Sequence, residues 1–393
     1  MPIYFDYNAT TPLDGAVREK MMPFLDGIWG NPSSVHSIGR DARQALDDAR
    51  YRLAGLWGCR PSEVVFTGGG TESNNLAVLG TARHLRTRGR HLITTPVEHH
   101  AVLHAFRQLE RREGFEVTRL PVDLQGRVDP EDVARALRPD TTLVSVMAAN
   151  NEVGTLQPVA EIGALCRSRG VIFHTDAVQA LGKLPFRDIH QFEADLVAVC
   201  AHKFHGPKGA GALFIRSPFQ PEPLQIGGGH ENERRAGTEN LSAIVGLVEA
   251  FERFVPSPVF DAIRLRAWTE RLAVVVAALP GVTLRGDPVQ RLANTLAFTV
   301  ADTDGIALMA GLDLAGICAS SGSACSAGSL EPSHVLRAMG VPESEANALV
   351  RLSLGRETTE VEVVRALELL PGVLQQVRRI PKKDTGGTNF ASP

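Results

Sequence analysis

The chain has 393 residues, 44 % of them hydrophobic and 22 % charged, with 41 Lys and Arg against 44 Asp and Glu for a formal charge of -3. This composition excludes disordered, collagen-like and fibrous proteins, and the near-balance of charge gives no general pull toward nucleic acid or an anionic membrane. The length is more than twice the ~150 residues at which single domains cluster, which predicts one large domain plus a smaller one.

From residue 60 to about 215, short β-branched runs alternate with longer stretches of helical periodicity, the pattern of a parallel sheet with covering helices. The runs are EVVFT (63–67), HLITT (91–95), EVTRLPV (116–122), TTLVSVMAAN (141–150), VIFHTDA (171–177), DLVAVC (195–200) and GALFI (211–215). Amphipathic helices are expected at 158–169 and at 130–137, the latter capped by Asp129. The segment FVPSP (254–258) then breaks the rhythm. After it come a long helix and the strands TLAFTV (295–300) and LVRLSL (349–354), which suggest a second, smaller α/β unit. The closing PKKDTGGTNFASP reads as a flexible tail, and no internal repeat of fixed period is present. The longest apolar run, 272–279, is far short of the roughly 20 residues that cross a bilayer. The N-terminus shows no basic segment followed by an apolar one, so no secretory signal is expected. Cys59, Cys166, Cys200, Cys318 and Cys325 are scattered and odd in number, which predicts free thiols in a reducing cytoplasm.

Ligands in open α/β sheets sit beyond the carboxyl ends of the strands, so the residues that follow each run carry the chemistry. After EVVFT comes GGGTESNN (68–75), glycines leading into a helix whose free N–H groups suit a phosphate, with Thr71 adding a hydroxyl. A tight connection alone would look the same. After HLITT come His99, His100 and His104; the last two have the i, i+4 spacing of a metal pair, but nothing completes a metal site. One His handling protons or stacking on a ligand, with the others structural, fits better. Asn150 and Asn151 stand either at a ligand or in a turn.

VIFHTDAVQ puts Asp176 at the end of an apolar strand, where an acid is costly unless it meets a cation, and Gln179 three residues on. CAHKFHGPKG puts Lys203 among apolar neighbours that favour its neutral, nucleophilic amine. Pyridoxal phosphate requires such a lysine for its aldehyde, a carboxylate for its ring nitrogen and a phosphate cup, and all three parts occur in chain order at strand ends. Around Cys325 nearly every residue is small, which predicts a mobile loop carrying an exposed thiol. For Cys59, Cys166 and Cys318 the better reading is a buried apolar thiol. Arg351, on LVRLSL, is either a fork for a substrate carboxylate or a surface residue of an edge strand.

Together GGGTESNN, VEHHAVL, NNEVGTLQP, FHTDAVQALGK, HKFHGPKGAGAL, GGGHENERRAGTEN and SSGSACSAGSLEPSHVLRAMG resemble the cysteine desulfurases of the NifS/IscS group, within the class V aminotransferase superfamily. The likeness runs from YFDYNATTPL to RLSLGRETTEVEV, and the cysteine loop with ENERRAGTEN looks most like the nitrogenase-associated NifS branch. The resemblance implies an α/β pyridoxal-phosphate-dependent transferase fold, aspartate aminotransferase-like (fold type I). It divides the chain into a large domain at 16–255, a small domain of 1–15 and 256–380 that carries the cysteine loop, and a tail at 381–393.

The resemblance also implies roles. Lys203 would hold pyridoxal 5'-phosphate, Asp176 would pair with its ring nitrogen, and His99 would stack on the ring and assist proton transfer. Gln179 and Asn151 would bond the phenolic oxygen or the substrate side. Gly70, Thr71, Cys200, His202 and the partner subunit's Thr238 would hold the phosphate in a homodimer. Cys200 stands where many relatives have Ser or Thr, and a thiol is the weaker donor. Arg351 would bind the carboxylate of L-cysteine, and Cys325 would take its sulfur as a persulfide, leaving L-alanine. The sulfur would pass to an iron–sulfur scaffold or another acceptor protein, with no resident metal and at most a transient contact between Cys325 and a nascent cluster. A selenocysteine lyase or another class V enzyme is the alternative within catalysis. A non-catalytic scaffold is the alternative outside it.

Overall fold

A computed structural model describes residues 2–322 and 332–378; Cys325, most of the small-residue segment around it and the 381–393 stretch lie outside the described residues. The chain opens with β1 (Ile3–Tyr4) and then forms β2 (Val64–Thr67), β3 (His91–Thr94), β4 (Glu116–Arg119), β5 (Thr141–Ser145), β6 (Ile172–Asp176), β7 (Leu196–Cys200) and β8 (Gly211–Ile215). Strands β2 to β8 form one seven-stranded sheet in the order β2-β8-β7-β6-β5-β3-β4. Strands β4, β3, β5, β6 and β7 are mutually parallel, whereas β8 runs antiparallel to both β7 and β2. Every run expected between 60 and 215 thus forms a strand. The strand of TTLVSVMAAN ends at Ser145, and five residues on the Asn150 side chain accepts from Glu152 N and Val153 N and turns the chain.

Helices cover both faces of this sheet, so β5 and β7 are buried along their whole length, as strands covered on both sides must be. On one face Trp57, which ends the helix Ser37–Trp57, meets Phe214 of β8 and Phe251 of the helix Leu241–Phe254 edge-on, at 6.3 and 6.1 Å. On the other, Val102, Phe106 and Leu109 of the helix His100–Glu113 pack on Leu92 and Leu143. The helices expected at 130–137 and 158–169 are Pro130–Ala136 and Val159–Ser168, and Asp129 caps the first by accepting from Glu131 N.

Past the FVPSP interruption come the helix Ala262–Ala277, then β9 (Val282–Arg285), β10 (Thr295–Val300), β11 (Ile317–Cys318) and β12 (Leu349–Ser353). Strands β12, β10 and β9 form an antiparallel three-stranded sheet, and β1 pairs in parallel with β11. A second core gathers Phe260, Leu272, Phe298, Leu352 and Leu370, and Ile3, Phe5 and Tyr7 from the start of the chain join it. Tyr7 N donates to Ser353 O, and Asn8 N to Ser353 Oγ. The first residues therefore lie along β12 and leave it pointing toward the large sheet.

Two thiols differ from expectation. Cys166 is buried, but Cys59 and Cys318 are only half-buried. Cys59 follows the end of the helix Ser37–Trp57, and Cys318 lies on a two-residue strand too short to be covered on both sides.

Two predictions follow from burial. Phe298→Ala removes a fully buried ring from the second core. It is expected to lower unfolding free energy by about 3–5 kcal/mol, read by urea titration. The second concerns Glu98, which is fully buried just beyond β3; its Oε1 accepts from Thr95 Oγ1 at 2.8 Å and Met147 N at 2.9 Å, while Oε2 has no partner. Burial pushes this carboxyl up to about 8. From about pH 5 to about pH 8 the folded chain then keeps a proton that the unfolded chain has released, so stability falls as pH rises. Glu98→Gln is expected to flatten that fall, with its melting temperature gaining on the wild type at the upper end; equal slopes by calorimetry would mean that Glu98 ionises normally.

Candidate active site

The parallel strands place their carboxyl ends along one edge of the sheet. There β6 delivers Asp176, β7 delivers Cys200 followed by the turn Ala201–Lys203, and β2 leads through Gly68 and Gly69 into the helix that opens at Gly70. A cavity of about 380 Å³ at this edge is lined by Gly70, Thr71, His99, Asn151, Asp176, Gln179, Cys200, His202, Lys203 and Arg351. Asn8, Ala9, Asn74, Met147, Val178 and Gly322 complete the wall. Of the expected site residues, Thr238 does not line it; Thr238 is exposed and borders two other hollows. Cys325 lies outside the described residues, three positions after Gly322 in the sequence.

Lys203 Nζ donates to two backbone carbonyls, Asn8 O at 2.6 Å and Ala9 O at 2.8 Å. Burial drives its pKa down to about 8, and the Arg351 charge adds to the effect while Asp176 and Asp6 oppose it. A substantial neutral fraction near neutral pH makes the amine a nucleophile. Asp176 is held by two neutral donors, Asn74 Nδ2 at 2.7 Å to one oxygen and Val178 N at 3.0 Å to the other. The cation expected beside it is not a protein side chain among the described residues, where no salt bridge involves Asp176.

His99 caps the helix His100–Glu113: its Nδ1 accepts from Ala101 N at 3.1 Å, which places the proton of the neutral ring on Nε2. Burial lowers its pKa, and the Lys203 charge lowers it further against the pull of Asp176. Burial and the charges of Lys203, Lys208 and Lys183 push His202 down to about 4, leaving a neutral ring beside Thr10 Oγ1 at 3.1 Å. Burial raises the Cys200 thiol, so it stays protonated. His100 and His104 stack with ring centroids 5.1 Å apart, and among the described residues no group of three ligating side chains could hold a metal ion.

Arg351 is 2 % exposed, which removes the surface reading. Its two terminal nitrogens donate to Asn151 O at 2.8 Å and Asp6 Oδ1 at 2.6 Å, and its Nε is buried with no partner. Arg351 lines the cavity with one donor unsatisfied, a want that a substrate carboxylate could meet. The donor set also fits pyridoxal phosphate. It offers a partly neutral amine, a carboxylate held by neutral groups, and at Gly70 a position where a Cβ would come within 3.0 Å of Val178 and 3.4 Å of Cys200. Asn8, Asn74, Asp6 and Lys183 support these groups and are the residues that motif reading missed. Each sat inside a quoted motif or beside one, but only contact geometry gives it a task.

Residues 3–366 match the Aminotransferase class-V family. Among curated relatives, cysteine desulfurase IscS of Dictyoglomus turgidum is 44 % identical over 379 residues, 96 % of each chain. The human cysteine desulfurase is 44 % identical over 383 residues, 96 % of this chain and 82 % of the human one. A solved NifS-like protein superposes with a TM-score of 0.88 at 38 % identity, covering 96 % of this chain and all of its own. SspA in complex with cysteine gives 0.79 at 35 % identity, over 91 % and 99 %. These names span both branches of the group, so the expected closeness to the nitrogenase-associated branch extends no further than the group as a whole. A match of this length, with near-full-length relatives that share one name, carries the conclusion: the chain belongs to the class-V aminotransferase family, alongside the cysteine desulfurases.

Proposed function

We propose that this chain is a pyridoxal-phosphate-dependent cysteine desulfurase that takes sulfur from L-cysteine onto Cys325 and supplies it to iron–sulfur cluster assembly. The observation that carries the reading is the single cavity that brings Lys203, Asp176, His99 and the spare donor of Arg351 together. When bound, pyridoxal 5'-phosphate supplies an aldehyde for amine condensation and a ring that accepts the electrons freed at the substrate α-carbon. Lys203 would hold that aldehyde, with Asp176 against the ring nitrogen and Gly70, Thr71, Cys200 and His202 around the phosphate. The partner subunit's Thr238 would complete the phosphate site in a homodimer, consistent with its exposure here.

Arg351 would bind the substrate carboxylate through Nε, while Asp6 and Asn151 O hold the rest of the guanidinium in one orientation. Lys203 Nζ, once released, would take the α-proton; its lowered pKa suits a base working near neutral pH. His99 would stack on the ring and donate through Nε2. Cys325 thiolate would attack the substrate sulfur: an S–S bond forms, the carbon–sulfur bond breaks, and a proton replaces sulfur on the carbon that leaves as part of L-alanine. No helix among the described residues is long and apolar enough to cross a membrane, in keeping with the cytoplasmic location we assign.

Incubation with L-cysteine is expected to add one sulfur atom to the Cys325 peptide by mass spectrometry, and Cys325→Ala to abolish alanine formation while keeping the cofactor's visible absorbance. Turnover surviving that substitution would remove Cys325 from the reaction. In the cofactor-free protein, Lys203 should react in pH-dependent reductive methylation with a midpoint near 8, against 10.5 for an ordinary lysine; a midpoint at the ordinary value would contradict its role as base.

A further inference from the structure

Behind the cavity lies a second lysine. Lys183 is 3 % exposed, and its Nζ donates to Asn8 Oδ1 at 2.8 Å and to Gln179 Oε1. The ring of Phe260 lies 5.3 Å from the nitrogen. No salt bridge among the described residues involves Lys183, and burial together with the Lys203 and Arg351 charges pushes its pKa well below the usual lysine range. A buried amine supported only by neutral acceptors costs stability compared with an apolar side chain of the same shape.

Both of its acceptors belong to the cavity wall. Gln179 Nε2 donates to Asn8 O at 2.9 Å, the same carbonyl that receives Lys203 Nζ at 2.6 Å. Asn8 is tied from other directions as well: its Nδ2 donates to Thr295 Oγ1 at 2.9 Å and Asn151 O at 3.3 Å, and Asn294 Nδ2 donates to its Oδ1 at 3.1 Å. A glutamine amide is nearly symmetric in shape, so steric packing alone does not choose between its oxygen and nitrogen ends. Two neighbours of the amide agree on it: Asn8 O can only accept and takes the nitrogen end, while Lys183 Nζ donates to the oxygen end. With Oε1 taken by Lys183, the nitrogen end turns to Asn8 O and keeps a second N–H to offer.

We propose that Lys183 is a positioning residue that holds Gln179 as a hydrogen-bond donor and Asn8 as the seat of the Lys203 amine. The inference rests on pyridoxal phosphate occupying the cavity. Without it Asn8 O alone would set the Gln179 amide, leaving its oxygen end without a donor, and Asn8 would lose one of its ties.

The test is Lys183→Met, which keeps the volume and removes both hydrogen bonds. Pyridoxal phosphate is titrated into the cofactor-free homologous set of wild type, Lys183→Met, Gln179→Ala and the double variant, with melting temperature measured alongside. Lys183→Met is expected to weaken cofactor binding about tenfold, the loss of one hydrogen bond to a charged group. In the double variant the two losses are expected to be less than multiplicative, because Gln179→Ala already removes the orientation that Lys183 sets. A purely structural lysine would instead change the melting temperature alone, or give effects that multiply in the double variant, and either result overturns the proposal. Should Lys183→Met not fold, Lys183→Gln restores one donor, and its binding is expected to fall between the two; wild-type binding in that variant also overturns the role. A wild type that takes up no pyridoxal phosphate would sink the reading of the site itself, an outcome distinct from a wild type that binds and a variant that binds equally.

Discussion

The structure depends on where the Lys203 amine rests. It sits on the carbonyls of Asn8 and Ala9, which are 195 and 194 residues away in sequence. Those carbonyls belong to a segment that begins in the second core with Ile3, Phe5 and Tyr7, is bonded along β12, and then crosses to the edge of the large sheet. Two backbone acceptors stabilise a nearby amine without adding a second full charge, so burial can still lower its pKa. A carboxylate in the same place would hold the lysine charged and unreactive.

The same restraint governs the charges around it. Asp176 keeps its oxygens in place with an amide and a backbone N–H, which leaves its charge to be met by something entering the cavity. Burial and neighbouring cations leave His99 and His202 neutral near pH 7. At Arg351, Asp6 satisfies one of the terminal nitrogens, while its buried Nε has no partner. The site thus wants one more acceptor at Arg351 Nε, and Asp176 has no salt-bridge partner among the described residues. An amino-acid carboxylate and a protonated ring nitrogen would supply them.

Much of this is legible in the sequence. The strand runs and the FVPSP break were read from β-branched patches and a change of period, and GALFI and TLAFTV became strands with the same bounds. Lys203, Asp176, His99 and the glycine turn were found because each follows a strand, where an open sheet exposes its ligand edge. Much of what is not legible works through a partner distant in sequence. Asn8 contributes a backbone carbonyl, which no side-chain pattern advertises. Asn74 matters because it reaches Asp176 across 102 positions. Lys183 looked like one more lysine after an apolar stretch. Cys59 and Cys318 were expected to be buried because a thiol is usually apolar filler, yet local chain ends left them half-covered.

The sequence by itself determined the alternation of strand and helix, and with it the edge on which ligand-binding residues must fall. It did so because side-chain periodicity and turn chemistry act over a few residues. Only the tertiary structure decided that Arg351 is buried and one donor short, that Lys203 leans on the start of the chain, and that a second lysine stands behind Gln179. Those facts are set by burial and largely by contacts between segments far apart in the chain, which local pattern does not specify.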